Sequence, residues 1–312
     1  MIDLNTLPLD ALYAEFRATG LVRRVLELAR DEDLGGQTIL GDITSASCPI
    51  NGRVVADVVA REPCIASGLA ALPELFSVFG VAIECTLHAA DGSGVDCGAA
   101  LVTLEGPALA VLAVERTMLN LLSRMCGIAS DASVMKAAMD AGAPGHRAVL
   151  LDTRKTTPGM RVLEKYAVRC GGCHCHRIGL FDAVLLKDNH LAGVPVDRLA
   201  GFVLQVAEKA TTRGPVRFFE VEIDALDQFA ALLTLPPGVV DIVLLDNMGP
   251  DLLREAVEMR DTARSRVLLE ASGGVTIDRI AAIAATGVDR ISAGSLTHGA
   301  RVVDLGLDAR NA

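Results

Sequence analysis

The chain is 312 residues long, 51% of them hydrophobic, with no tryptophan, 3% aromatic residues and a formal net charge of −10. That length predicts one large domain beside a smaller one. The aliphatic composition suits parallel strands covered by helices, and the acidic balance speaks against nucleic acid or an anionic membrane as partner while leaving room for a local basic pocket.

The opening residues, MIDLNTLPLDALYAEF, carry acids and no basic n-region. No apolar run approaches the roughly 20 residues of a membrane helix, so a cytoplasmic protein is expected. Its eight cysteines are then expected to be reduced. LDALYAEFRATGLVRRVLELARDED (9–33) predicts one or two helices from apolar residues three and four apart. GGQTILGDITS (35–45) predicts a glycine-rich loop, and GRVVADVVAREPCIASG (52–68) a pair of strands. LAALPELFSVFG (69–80) predicts a helix, and residues 81–112 predict strands broken at glycines. Together these make an α/β sandwich pattern with no catalytic cluster. VLAVERTMLNLLSRMCGIAS (111–130) then starts a long helix, with Val114, Met118, Leu122 and Met125 on one face and Arg116 and Asn120 on a polar stripe. Taken alone, Arg116 reads as a solvated helix charge.

From residue 147 the pattern becomes regular. Short aliphatic strands end in polar or small residues: RAVLLDTRK at Asp152, Arg154 and Lys155, DAVLLKDNH at Lys187, and VRFFEVEID at Glu220 and Glu222. DIVLLDN ends at Asp246 and Asn247, RVLLEASGG at Ser272, Gly273 and Gly274, and DRISAGS at Ala293 and Gly294. Helical segments at 196–212, 225–234, 250–264 and 276–286 separate the later strands. Strand, polar tip, helix, repeated, predicts an α/β barrel with its site at the carboxyl ends of the strands. A doubly wound sheet shares the alternation, but it gathers its polar tips at one crevice, and no G-x-G-x-x-G follows any strand.

The tips carry chemistry. Arg154, Lys155, His176, Arg177 and Lys187 gather cations that repel one another unless an anion binds them. Any one of them reads as surface salt bridging; all of them at successive tips do not. Glu220 and Glu222 are two apart on a strand and share a face. With Asp246 they suit Mg²⁺ held jointly with a phosphorylated substrate, or sugar hydroxyls, and pairing with Lys187 or Arg177 is the structural alternative. The small residues of ASGG and SAGS let backbone N–H groups approach a phosphate, with His298 close behind.

The run CGGCHCHRIG (170–179) packs Cys170, Cys173, Cys175, His174 and His176 together and contains C-x-x-C-H. Structural zinc usually needs two ligand pairs separated by a segment, and adjacent ligands diverge. Haem attachment through C-x-x-C-H follows export. Neither is expected here; adventitious metal binding or thiol oxidation is.

ERTMLNLLSRMCGIAS, LDTRKTTPGMRVLEKYAVRCGG, HRIGLFDAVLLKDNH, EVEID, LLDNM, LEASGGV and SAGSLTHG occur in that order. From about residue 30 to the C-terminus the chain resembles the quinolinate phosphoribosyltransferases, the carboxylating nicotinate-nucleotide pyrophosphorylases. The resemblance implies an N-terminal α/β sandwich (1–116, with 299–312 packing back) and an incomplete, open α/β barrel of the type II phosphoribosyltransferases (117–298). It implies a pentosyltransferase of NAD biosynthesis that turns quinolinate and phosphoribosyl pyrophosphate into nicotinate mononucleotide, CO₂ and pyrophosphate with Mg²⁺. It implies a homodimer or dimer-based oligomer in which Arg116 reaches across to a quinolinate carboxylate. By the same resemblance, Arg154, His176 and Arg177 bind the substrate carboxylates. Lys155 and Lys187 contact quinolinate and the phosphate oxygens, and Glu222 and Asp246 hold the ribose hydroxyls and Mg²⁺. Ser272, Gly273, Gly274, Gly294 and His298 receive the 5′-phosphate. Lys155, Lys187, Glu222 and Asp246 form the catalytic set, and the part of Glu220 stays open. The family's GGxxNHR reads GGCHCHR here, with Cys175 in place of Asn.

Three rival readings are disfavoured by particular residues. A molybdenum-operon homologue acting on another anion is disfavoured by the retained TRKTTPG, HR and KDNH. A nicotinate or nicotinamide phosphoribosyltransferase is disfavoured by the surplus of arginine. A non-catalytic binding protein is disfavoured by the intact Glu222 and Asp246.

Overall fold

The computed structural model describes residues 3–310 except Gln37. The chain folds as two compact units. One comprises Thr6–Ser133, Thr156–Gly172 and Leu296–Ala312; the other comprises Met1–Asn5, Val134–Lys155 and Cys173–Ser295.

The chain opens with helices α1 (Leu9–Ala18) and α2 (Leu21–Leu34). The glycine-rich stretch that follows is not a plain loop: it holds a 3₁₀ turn (Ile39–Gly41) and a short helix α3 (Ile43–Ser47). The helix forms because the Asp42 side chain accepts the Ser45 N–H at 3.0 Å, an N-cap that the glycines obscure in the sequence. Next come β1 (Arg53–Ala60), β2 (Cys64–Ile65), α4 (Leu72–Phe79), β3 (Glu84–Leu87), β4 (Gly94–Val95) and β5 (Ala100–Pro107). β1 and β2 do not pair with each other. β1 lies between β5 and the C-terminal strand in the antiparallel sheet, whereas β2 pairs with β4. Ala56, Val58 and Ala60 of β1 are buried at every second position, as a sheet with one covered face requires.

Helix α5 runs Ala108–Gly142. Val114, Met118, Leu122 and Met125 are fully buried along one side, and Arg116 and Asn120 are exposed on another. The remaining elements are β6 (Val149–Leu151), α6 (Arg161–Cys170), β7 (Val184–Leu186), α7 (Asp188–Leu191) and α8 (Val196–Thr211). They continue with β8 (Phe219–Ile223), α9 (Leu226–Leu232), β9 (Ile242–Asp246), α10 (Pro250–Thr262) and β10 (Leu268–Ser272). The chain closes with α11 (Ile277–Ala284), β11 (Arg290–Ser292), α12 (Ser295–His298) and β12 (Leu305–Ala309). β12 pairs antiparallel with β1, Ala56 opposite Ala309.

The second unit is an open α/β barrel. Its six strands are all parallel, in the order β6-β11-β10-β9-β8-β7. Register decides which side chains share a face, because laterally paired residues point the same way. Glu222 pairs with Leu244, Leu244 with Glu270, and Glu270 with Arg290; Asp246 pairs with Ser272, and Leu185 with Glu220. One face therefore carries Glu220, Glu222, Asp246, Glu270, Ser272 and Arg290, with Lys187 two residues past Leu185. The opposite face presents Val221, Val243, Leu245, Leu269, Ala271, Ile291 and Leu150, all buried and apolar. The outer face is thus wholly apolar, whereas the inner face mixes buried Leu185, Ile242 and Leu244 with the polar residues that chemistry needs.

Candidate active site

The polar face closes into pairs near the carboxyl ends of the strands. Lys187 Nζ donates to Glu222 Oε2 at 3.1 Å, the cation–acid pairing read as an alternative from the sequence. Asp246 Oδ2 accepts from Asn247 Nδ2 at 2.7 Å. Asn247 follows β9 in the left-handed region (φ 55), a conformation that asparagine tolerates better than most residues. Ser272, paired with Asp246, begins a turn in which Gly273 (φ 91) and Gly274 (φ 56) are both left-handed. A Cβ on Gly273 would stand 2.2 Å from Asn247 Oδ1, so the turn needs glycine for space as well as for torsion. Arg279 Nη1 donates to the Gly274 carbonyl at 2.9 Å, and α11 starts three residues later. Gly294 lies between β11 and the four-residue α12.

The cations converge from other segments of the same unit. Arg177 is buried, with 5% of its surface exposed. Burial, then the neighbouring Arg154, lowers its pKa, while Glu220, Asp182 and Glu222 oppose that shift. Arg154 and Arg177 thus lie close enough to repel, and Arg177 feels the β8 carboxylates. Arg177 Nη1 donates to the Ala183 carbonyl at 3.3 Å, whereas Arg154 Nε is buried without a hydrogen-bond partner among the described residues. Two crowded guanidiniums with an unsatisfied donor suit a ligand carrying more than one negative charge. Lys155 is exposed beside them.

His176 is placed by backbone pairing. His174 bridges β6 in parallel, its N–H donating to the Leu150 carbonyl at 2.8 Å while its carbonyl accepts the Asp152 N–H at 3.1 Å. Asn5 brackets Cys175 on the far side, accepting its N–H at 2.7 Å and donating to its carbonyl at 3.0 Å. A side-chain amide therefore serves as a neighbouring strand where the segment has none. Asp152 Oδ1 accepts the His176 N–H at 2.8 Å. The extended run alternates, so the buried Cys173 and Cys175 point away from the side of His174 and His176. Just before it, Gly171 is needed for close approach, since a Cβ there would lie 2.4 Å from the Ala129 carbonyl of α5.

The His176 ring is fully engaged. Nδ1 accepts the Arg177 N–H at 2.7 Å. Nε2 faces Glu220 Oε2 at 3.1 Å and Glu270 Oε1 at 3.2 Å, and Glu270 Oε2 receives Arg290 Nε at 2.6 Å. Glu220 and Glu270 are wholly buried. Burial opposes a charged imidazole, but Glu270 and Glu220 outweigh it and push His176 up to about 9. Burial and Glu270 raise Glu220. Burial would raise Glu270 too, yet His176 and Arg290 hold it low. With Nδ1 accepting, the single ring proton is on Nε2, facing Glu220 and Glu270. Among the described residues, His176, Glu220 and Glu270 are also the one group of three whose potential ligand atoms lie within 4.8 Å of one another. Glu222 and Asp246 are outside it, so a cation there would draw further oxygens from a ligand.

Arg154, Lys155, His176, Arg177, Lys187, Glu222, Asp246, Ser272, Gly273, Gly274 and Gly294 all belong to the barrel unit. Arg116 and His298 are exposed residues of the other unit. The sequence patterns do not single out Glu270, Arg290 or Asn5, whereas Asn247 is at the tip of DIVLLDN as expected. For Glu270 a signal was present: a lone acid inside VLLEAS repeats the alternation that singled out EVE.

The chain matches the family model described as quinolinate phosphoribosyl transferase, N-terminal domain, over residues 42–126, and the C-terminal domain model over 128–308. It is 41% identical over 267 residues to nicotinate-nucleotide pyrophosphorylase [carboxylating] of Mycobacterium leprae, covering 85% of this chain and 89% of that one. It is 34% identical to quinolinate phosphoribosyltransferase [decarboxylating] 1b of Nicotiana tabacum, over 92% of this chain and 81% of that one. The solved nicotinate-nucleotide pyrophosphorylase of Francisella tularensis superposes with a TM-score of 0.80 at 32% identity, covering 99% and 100% of the two chains.

Proposed function

The chain belongs to the quinolinate phosphoribosyltransferase family, and from that membership we propose how its own residues carry the family's reaction. Quinolinate and phosphoribosyl pyrophosphate become nicotinate mononucleotide, CO₂ and pyrophosphate, a step of NAD biosynthesis. The observation that carries the residue assignment is the buried Arg177, which neighbours a second guanidinium, Arg154, and the Glu222 carboxylate of a strand face that also bears Asp246.

Arg154 and Arg177 take the two carboxylates of the pyridine ring, the diacid relieving their mutual repulsion. Lys155 and Lys187 neutralise the pyrophosphate. Glu222 and Asp246 face the ribose, where positive charge grows on the anomeric carbon as the leaving group departs. Fixed charges aimed at developing charge commonly supply the largest catalytic term. Ser272, Gly273, Gly274 and Gly294 receive the 5′-phosphate on backbone N–H groups. Once ribosylated, the ring nitrogen is cationic and stabilises, as an ylide, the electron pair left on C2 by loss of CO₂, and C2 then takes a proton from solvent. No side chain need remove a proton.

Glu222 and Asp246 offer hard carboxylate oxygens that fit Mg²⁺ when phosphate oxygens complete the shell. Bound there, Mg²⁺ would supply charge neutralisation for the pyrophosphate. We also propose a cytoplasmic homodimer in which Arg116 of one protomer completes the quinolinate site of its partner. Its support is the exposed place of Arg116 on α5, beside no acid that pairs with it in the described residues. The direct test is product analysis with purified protein: nicotinate mononucleotide and CO₂ should form in equal amounts. A nucleotide product without CO₂ would contradict the assignment.

A further inference from the structure

His176 stands where its ring would be expected to touch a substrate carboxylate, yet both ring nitrogens are committed inside the protein. Nδ1 accepts the Arg177 N–H at 2.7 Å, and Nε2 sits between Glu220 and Glu270 at 3.1 and 3.2 Å. The ring is walled in further by Phe218, edge-on at 5.4 Å, and only 5% of the residue is exposed. The arrangement extends outward. Glu270 is anchored by Arg290, and Arg290 and Arg217 both stack on Phe218, at 5.8 and 5.9 Å. Arg217 in turn donates to Asp182 at 3.1 Å, whose carboxylate accepts the Ile178 and Gly179 N–H groups at 2.9 and 2.8 Å. Arg177 is thus held on both sides, by the His176 ring before it and by the Asp182 turn after it.

We propose that His176 is a positioning residue and that Glu220 and Glu270 are the clamp that orients it, so that Arg177 is aimed at quinolinate by a fixed backbone. This rests on the reading of Arg177 as a quinolinate ligand. It also gives Glu220 a part: it faces the clamp while Glu222, two residues on, faces the substrate. A ring swung out to meet a substrate carboxylate would abandon two buried carboxylates and the Arg177 N–H donor at once. Breaking a buried charged pair is strongly unfavourable. The chemistry of the clamp is that of a ring whose far nitrogen is held by two buried carboxylates at 3.1 and 3.2 Å, an arrangement that sets which nitrogen accepts.

Two readouts test it, one independent of the substrate. Amide hydrogen exchange at Arg177 should be slow in the wild-type protein and faster by about tenfold in Glu270→Gln and Glu220→Gln, the scale of one lost buried charged contact. Amides inside β9 should exchange as before. In the same variants the quinolinate KM should rise by about tenfold, with kcat and the phosphoribosyl pyrophosphate KM within about twofold of wild type. Glu220→Gln keeps the Arg290–Glu270 pair and serves if Glu270→Gln does not fold. Unchanged exchange at Arg177 in a folded variant overturns the clamp. So does an equal rise in both KM values with faster exchange throughout the barrel, the mark of a merely structural role. His176→Asn, which keeps an acceptor near the Nδ1 position, should retain more quinolinate affinity than His176→Gln; the reverse order would mean that Nε2 meets the substrate. Failure of the wild-type protein to turn over quinolinate would overturn the substrate reading alone, and the exchange result would still decide the clamp.

Discussion

Arg177 is an expensive residue to bury, and Arg154 beside it makes matters worse. Such a pair persists when function needs two forks in one place. Arg177→Ala should lower quinolinate kcat/KM by roughly 100-fold or more, the value of a bidentate charged contact, with the circular dichroism spectrum unchanged. Arg177→Lys should recover only part of that loss, because the ammonium keeps the charge without the planar fork. Near-normal kinetics in Arg177→Ala would remove the residue from the site. At this scale the sequence showed the charged tips but not their partners. Glu222 and Lys187 pair as the spacing allowed, whereas Glu220 meets His176 and Glu270, which only the strand register brings together.

The strand tips work because each element sets its own end. β8 alternates so that Glu220 and Glu222 share the inner face while Val221 and Ile223 are buried on the other. The turn after β10 depends on two left-handed glycines in succession. Gly273→Ala should cost roughly 1–3 kcal/mol of stability and raise the KM for phosphoribosyl pyrophosphate more than that for quinolinate. Equal effects on both would detach the turn from the phosphate. A second element-level hub lies within the other unit. The buried Glu164 of α6 accepts from Arg124 Nη2 at 2.9 Å and from the Thr157 N–H and hydroxyl at 3.0 and 2.8 Å. Arg124 also donates to the Ala300 carbonyl at 2.8 Å. Glu164→Ala should destabilise by about 3–5 kcal/mol, the usual consequence of breaking a buried ion pair, as read by chemical denaturation. Helices and strand–tip repeats were legible because periodicity is local. The assignment of β1 and β2 to different sheets was not, because pairing partners lie far along the chain. Nor was α3, where one aspartate cap decides the conformation inside a glycine-rich run.

For the whole molecule, a net charge of −10 coexists with a pocket that must attract two polyanions. Attraction at a mouth depends on nearby charge rather than on the total, so turnover should fall with added salt as long-range steering is screened. The proposed sharing of Arg116 between protomers makes a sharper expectation. Mixing Arg116→Ala with Lys187→Ala protein should restore part of the activity that each lacks alone, and no recovery after verified subunit exchange would confine the site to one chain. Chelation of Mg²⁺ should suppress turnover and leave the fold intact. The central claim, that two guanidiniums are arranged for a pyridine diacid, is tested most directly by initial rates with quinolinate, nicotinate and nicotinamide, each with phosphoribosyl pyrophosphate and Mg²⁺. The account predicts turnover of quinolinate with release of CO₂ and little or none of the other two. Comparable rates with nicotinate would contradict it.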